Sequence, residues 1–458
     1  MSTKFLKDTI RKIIEPLESS ILSDKYFGLQ KSLGYSDRLN LVCKYAQNKF
    51  NSQSSEAYPE ITFLLYSKAC ERLLIPLVFN LLQRPEVQDG KIHVNVIVLF
   101  GIHRLKLMDS NLEELQKMRC QIQTDYFSLI RACYQPNQKL VVLCLDHRKV
   151  YRYHFWGVDT VDTLKSHGVS TLSIQHGGTR ADSVEELASA ASDMVLVWGK
   201  RVYREIVERY NGDPRRFHIV GNPLHDRLAN IDNVQVQSQF KDHYPEVSSQ
   251  LGQKHVVLLA TCLHTEYRGM ENEVQMYRDY IRHIYSSIDF SRTLLLVKMH
   301  PLDTLAPNLY IQAIPDENSK KSIIVIEPTV SNLDIYSLLS ISELLITRAS
   351  TVAEEAMLMG KNVISFDLLP DGPSKNYRHL EEYGSYTTVY ANPENELKKA
   401  INYSLSEAVS EQNKNTSLIE EELTCSLDGH STDRAVNEIL TYFWHKNYQN
   451  YYENGCTC

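Results

Sequence analysis

Short β-branched and apolar runs alternate with longer amphipathic segments along most of the chain, the pattern of parallel strands joined by crossover helices. In the first half the runs are ITFLLY (61–66), HVNVIVLF (93–100), KLVVLCLD (139–146), VSTLSIQ (169–175), DMVLVWG (193–199) and RFHIVG (216–221). The second half repeats the scheme with HVVLLAT (255–261), TLLLVKM (293–299), SIIVIE (322–327), ELLITR (343–348) and NVISFD (362–367). Among the helical segments, KRVYREIVERY sets Val202, Ile206 and Val207 on one side and Arg201, Arg204, Glu205 and Glu208 largely on the other. Gly221 and Pro223 in GNPLHDRLANIDN interrupt the pattern and mark a joint, and TDRAVNEILTYFWHK (432–446) reads as a last amphipathic helix. The expected architecture is α/β: a helical leader over 1–57, a doubly wound domain over 58–225, a second over 226–430, and a closing helix over 431–447. Two such halves leave a cleft, and ligands of doubly wound sheets sit beyond the carboxyl ends of the strands.

A chain of 458 residues exceeds what one hydrophobic core usually holds, in keeping with two domains. Its 43% hydrophobic and 23% charged residues are an ordinary globular composition, and a net charge of -7 argues against nucleic acid as a partner. The nine cysteines are odd in number, scattered and without a C-x-x-C, which fits a reducing cytoplasm better than a disulfide scaffold. Cys456 and Cys458 are expected to form an untethered tail. The N-terminus carries charges throughout, unlike a secretory signal, and the longest apolar stretch, LLIPLVFNLL, is too short to span a bilayer. The expected location is therefore cytoplasmic. Leu6, Ile10, Ile13, Ile14 and Leu17 recur at helical spacing among Lys4, Lys7, Arg11 and Lys12. That helix either docks on the protein's own core, the preferred reading, or makes a peripheral contact at the inner face of the membrane.

The functional signal lies in what the strands end in. VSTLSIQ runs into Gln175-His176-Gly177-Gly178, placing a titratable ring on a glycine-flexible loop. His176 is a candidate general base toward an acceptor hydroxyl, or a donor to a phosphate, with a packed or capping ring as the alternative for a lone histidine. KLVVLCLD ends in Asp146 and His147, a second acid/base candidate that a turn or cap explains equally well. LLLVKMHP ends in Lys298-Met299-His300-Pro301, where lysine and histidine alternate with methionine and so point to one side, an arrangement that suits a phosphate but that, taken alone, is explained by a structural strand end. ELLITRASTVAEEAMLMGKN leaves a strand at Arg348 and starts a helix with Ser350 and Thr351. A Ser-Thr start is an ordinary N-cap, and the same free amides also suit a phosphate. Glu355, one turn on, is placed to accept ribose hydroxyls, whereas Glu354 is expected to be solvated.

No G-x-G-x-x-G, G-x-x-x-x-G-K-[ST] or H-E-x-x-H occurs, which removes support for dinucleotide oxidoreductase, P-loop and zinc-protease readings. There is no Asp-x-Asp triplet either, so no metal and no permanently bound cofactor is expected. Helix amides with Lys298, His300 and Arg348 would carry the phosphate charge.

In their order and spacing, QHGG, the GNPLHD joint, KMHP and RASTVAEEAMLMGKNVI resemble the two-domain GT-B nucleotide-sugar enzymes over residues 140–370. The likeness is closest to bacterial surface- and capsule-polysaccharide glycosyltransferases. Similar signatures occur in teichoic-acid glycerophosphotransferases, sialyl- and Kdo-transferases and non-hydrolysing UDP-N-acetylglucosamine 2-epimerases. The resemblance implies two Rossmann-like domains facing across a cleft, the first holding the acceptor and the second the nucleotide. It implies Lys298 and His300 at the donor phosphate, Ser350 and Thr351 at the phosphate-binding helix, Glu355 on the ribose and His176 near the reacting centre. It also implies that the last helix crosses back onto the first domain. Arg348-Ala349 and Asn362 depart from the pattern of many relatives, which touches donor identity more than fold. The activity implied is metal-independent transfer of a sugar or related alcohol-phosphate group from a UDP-, CMP- or CDP-linked donor to a hydroxyl of a glycan or glycolipid acceptor. His176 or, failing it, Asp146 would be the base. The alternatives are a nucleotide-sugar 2-epimerase, whose His-Glu and Gly-Leu-Arg stretch QHGGTRADS lacks, and a non-catalytic nucleotide- or glycan-binding protein.

Overall fold

The computed structural model of the chain describes residues 59–98, 107–123, 139–149, 155–261, 272–300, 308–328, 333–391, 395–406 and 416–454. The leader expected over 1–57, with its membrane-facing alternative, and the Cys456 and Cys458 tail lie outside these residues. Among the described residues no helix is long and apolar enough to cross a membrane.

Two parallel sheets carry the fold. The first contains β1 (Glu60–Leu65), β2 (His93–Val98), β3 (Gln121–Gln123), β4 (Lys139–Leu143), β5 (Ser170–Ile174), β6 (Met194–Val197) and β7 (Phe217–Ile219), in the order β3-β2-β1-β4-β5-β6-β7. The second contains β8 (His255–Ala260), β9 (Thr293–Lys298), β10 (Ile323–Ile326), β11 (Leu344–Thr347), β12 (Asn362–Asp367) and β13 (Tyr386–Tyr390), in the order β10-β9-β8-β11-β12-β13. Each sheet grows outward from its first strand, then returns across it and grows the other way, so each is doubly wound. The reversal falls between β1 and β4, where Phe63 registers with Val142, and between β8 and β11, where Leu259 registers with Ile346. Ligand sites of such sheets lie beyond the carboxyl ends of the strands at these reversals.

Each run read as a strand holds one. The central strands are covered by helices on both faces and therefore read as unbroken apolar runs, as in the fully buried Met194–Val197. β3 and β13 have no counterpart among those runs. Both are edge strands, and Gln121-Ile122-Gln123 and the Thr387-Thr388 pair leave them too polar to stand out.

Six helices position the site: α1 (Lys68–Leu82), α2 (Ala181–Ala188), α3 (Lys200–Tyr210), α4 (Val352–Leu358), α5 (Thr416–Thr424) and α6 (Ser431–Asn454). Ser67 caps α1 by accepting from Cys70 N at 3.2 Å, and Leu74, Leu77, Val78 and Leu81 turn inward. In the same core lie Ala435, Val436, Ile439, Leu440 and Phe443, so α6 packs on the first sheet although it follows the second in sequence. Burial of each large apolar side chain here contributes about 1.5–3 kcal/mol. In the second sheet, alternate residues divide between two cores: Leu258 faces Ala356 of α4, while Val257 and Leu259 face Tyr280 and Phe366.

The GNPLHD joint serves both chain crossings. Asp226 caps α6, accepting from Ser431 N at 2.7 Å and Thr432 N at 2.8 Å. Gly221 has φ of +88°, and a Cβ there would stand 2.8 Å from the Thr424 carbonyl, so the close crossing of α5 and α6 requires glycine. His225 shares a 2.8 Å hydrogen bond with Thr424 Oγ1, and burial pushes its pKa down to about 3, keeping it neutral.

Candidate active site

On the second sheet, β11 ends at Thr347 and the chain turns through Arg348-Ala349-Ser350-Thr351 into α4. Ser350 Oγ lies 3.4 Å from Val352 N, and the Thr351 side chain makes no capping bond. Two strands away, across β8, β9 ends at Lys298, whose Nζ donates to the Glu327 carbonyl at 3.1 Å. Burial lowers the Lys298 pKa, with Asp334 opposing the shift. Met299 is anchored in the core, and His300 N donates to Thr261 Oγ1 at 2.9 Å, which fixes the start of the segment carrying the imidazole. Lys298 and His300 flank the buried Met299 and are themselves half-buried.

Glu355 lies one turn into α4 and accepts from Tyr336 Oη at 2.9 Å. Burial raises its pKa to about 7, while Arg72 of α1, an exposed side chain of the first domain, pulls it down.

Three expectations change in the fold. Arg348 is buried, and its Nε donates to Asp367 Oδ2 at 2.9 Å. Its own carbonyl accepts from Ser365 and Ser374, which places the residue in the scaffold beneath the turn. Asp146 is also fully buried: Ser173 Oγ meets Oδ1 at 2.6 Å, while Ser192 N and Oγ meet Oδ2 at 2.8 and 2.6 Å. Three donors hold that carboxylate as a cap between β5 and the turn before β6, a poor arrangement for a base that must receive a proton. Glu354, expected to be solvated, is 1% exposed and reaches the first domain, accepting from Thr179 N at 2.6 Å and Thr179 Oγ1 at 2.9 Å.

On the first sheet, β5 ends at Ile174 and Gln175 is buried. Its Nε2 donates to the Gly177 carbonyl at 2.6 Å, and its Oε1 accepts from Trp198 N at 2.8 Å. One side chain thus braces the loop that carries His176. The His176 ring lies 5.3 Å, centroid to centroid, from His147 at the end of β4. A cavity of about 230 Å³ lined by Leu82, Ile92, Val94, Met118 and Cys120 lies at the amino ends of β2 and β3, away from these strand ends.

Gln175, Thr179, Glu354, Tyr336 and Asp367 are the members of this cluster that residue type and spacing did not single out. Only Asp367 carries a usable signal, as a carboxylate ending an apolar strand beside one that ends in arginine.

Both Glu354 and Glu355 hold protons to about pH 7, burial being the first cause in each, against an ordinary value of 4.5. The folded state then binds protons that the unfolded chain has released. Their contribution to stability is complete below about pH 4.5 and is lost as pH rises through about 7. Urea midpoints measured from pH 5 to 8 are expected to fall, and Glu354→Gln with Glu355→Gln to flatten that fall.

No curated protein matches the chain by sequence. Among solved structures, UDP-GlcNAc 2-epimerase from Neisseria meningitidis bound to UDP-GlcNAc is 15% identical, with 83% of this chain and 100% of that one covered at a TM-score of 0.55. UDP-GlcNAc 2-epimerase from Methanocaldococcus jannaschii is 13% identical, covering 84% and 99% at 0.52. The wall teichoic acid polymerase TagF is 12% identical, covering 97% of this chain and 99% of its own at 0.50. At such identities the likeness is one of fold, and that fold is GT-B: two Rossmann-like domains, as the two sheets show. The family model described as CDP-Glycerol:Poly(glycerophosphate) glycerophosphotransferase matches residues 159–441, from the helix before β5 to within α6, and so takes in every strand end discussed on the second sheet and the His176 loop on the first. Because that match spans more than half of the sequence, the chain belongs to the CDP-glycerol:poly(glycerophosphate) glycerophosphotransferase family.

Proposed function

We propose that the protein transfers an alcohol-phosphate group from a CDP-linked donor to a terminal hydroxyl of a surface polymer. The family's description supports an alcohol phosphate over a sugar as the transferred group, and a cytidine nucleotide as its carrier. The observation that carries the reading is the contact between the His176 loop and α4, made through the 2.6 Å bond from Thr179 N to Glu354. A candidate base on one domain and a candidate phosphate turn on the other are thereby held to one cleft.

In the proposed step the acceptor oxygen attacks the phosphorus that bears the alcohol, and its proton passes to His176. The bond from that phosphorus to the bridging oxygen breaks, and CMP leaves with the electron pair. Positioning and charge stabilisation dominate phosphoryl transfer, so the leaving phosphate calls for cations and donors on the side opposite the attacking oxygen. Lys298, His300, Ser350 and Thr351 would supply them, and Glu355 would accept the ribose hydroxyls.

The test is ligand-induced stabilisation of the full chain. CMP and CDP-glycerol are expected to raise the melting temperature, by about 2.7 kcal/mol of added stability at a hundredfold excess over Kd. His300→Ala and Glu355→Ala should weaken that response. A shift with UDP-GlcNAc and none with the cytidine ligands would return the donor to a sugar nucleotide, and no shift with either would favour a binding protein without this chemistry.

A further inference from the structure

We infer that Thr179 and Glu354 form a latch between the two domains that sets the position of His176, which makes both of them positioning residues for transfer. The inference rests on the reading of His176 as the base.

The contact is a buried one, since both side chains are 1% exposed. Glu354 Oε1 takes both donors that Thr179 offers, the amide at 2.6 Å and the hydroxyl at 2.9 Å. His379 Nε2 stands 2.8 Å from the same hydroxyl. Which of the two atoms donates follows the tautomer of the neutral His379 ring. Burial first, and Arg201 second, hold its pKa down to about 4, so this neutral form persists at neutral pH. Thr179 is therefore gripped by two separate segments of the second domain, α4 and the turn over Pro373–Tyr383 that carries His379.

The sequence around Thr179 is built for that grip. A Cβ on Gly178 would overlap the Glu354 carboxylate, lying 2.8 Å from its Cδ, so glycine there leaves the carboxylate in place on Thr179. At the other end of the loop, Gln175 ties it to the first domain through Gly177 and Trp198. His176 sits between an anchor on its own domain and a latch on the other. Its distance from a donor held by α4 then follows the latch, and a misplacement of about 1 Å at a reacting group costs on the order of 10²-fold in rate.

Two readouts on the full chain test this, with Thr179→Val, Thr179→Ser, Glu354→Ala and Glu354→Gln. Valine keeps the shape of threonine without its hydroxyl, serine restores the hydroxyl, and the glutamine carbonyl still accepts both Thr179 donors. In the first readout, CMP release with a CDP-alcohol donor, Thr179→Val and Glu354→Ala are expected to lower kcat by about 10- to 100-fold. CMP affinity should hold within about twofold, with Thr179→Ser and Glu354→Gln close to wild type. In the second, carbethoxylation of His176 by diethylpyrocarbonate, followed by peptide mass, should run about tenfold faster in Thr179→Val and Glu354→Ala than in wild type or the two conservative variants. An unchanged modification rate in Thr179→Val overturns the latch. So does a loss of CMP affinity in step with kcat, which would make Glu354 part of the nucleotide site. If the wild-type protein binds no cytidine nucleotide, the functional reading fails by itself, and the modification rates still decide the latch.

Discussion

Replacing His176 with alanine is expected to lower kcat for group transfer by about 10²- to 10⁴-fold, the usual contribution of a positioned general base, with CMP affinity left within about twofold. The ring belongs to the first domain, whereas the candidate phosphate-binding residues belong to the second, so truncation removes the proton acceptor without disturbing the turn at Ser350 and Thr351. The loop itself should stay in place, because its anchors are the Gln175 side chain and the Thr179 latch. Steady-state CMP release alongside CMP titration separates the roles. Equal losses in rate and affinity would make His176 a phosphate donor, and an unchanged kcat would remove it from the chemistry.

The second large effect concerns stability. Arg348→Met is expected to destabilise the fold by about 3–5 kcal/mol, the cost of leaving a buried partner charge uncompensated. Asp367 is fully buried, and among the described residues its carboxylate has, beyond Arg348, a 3.3 Å contact from Leu369 N and a 3.4 Å contact from Ser374 Oγ. Those neutral donors cannot replace a guanidinium. Urea unfolding measures the loss, and the double variant Arg348→Met with Asp367→Leu should recover much of it by removing the stranded carboxylate. A normal urea midpoint together with lost CMP binding would reverse the assignment and make Arg348 a phosphate ligand after all.

The sheets were legible for a physical reason. A parallel strand covered on both faces has no solvent side, so HVVLLA or TLLLVK reads as a strand without knowledge of its neighbours. Edge strands lose that signature, which is why Gln121–Gln123 and Tyr386–Tyr390 escape it. The fold class follows from the alternation of strand and helix, whereas the order of strands within each sheet comes from their pairing in the structure. Strand ends were legible too, because a polar residue that stops an apolar run in a doubly wound sheet has few places to point except the cleft. His176, Lys298 and His300 entered consideration on that ground, Ser350 and Thr351 as the helix start that follows a strand end, and Glu355 as the carboxylate one turn further on.

What each polar end meets there is another matter. By itself the sequence determined the two parallel sheets, the joint at Gly221–Asp226 and the set of strand ends from which a site can be drawn. The tertiary structure alone decided that Arg348 turns inward to Asp367, that Asp146 is consumed by Ser173 and Ser192, and that Glu354 crosses to Thr179, 175 residues away. Apolar periodicity is a property of a segment and its solvent, so it is written locally. The partner of a charge or a hydroxyl is whichever group the folded chain brings within about 3 Å, and that depends on every element in between.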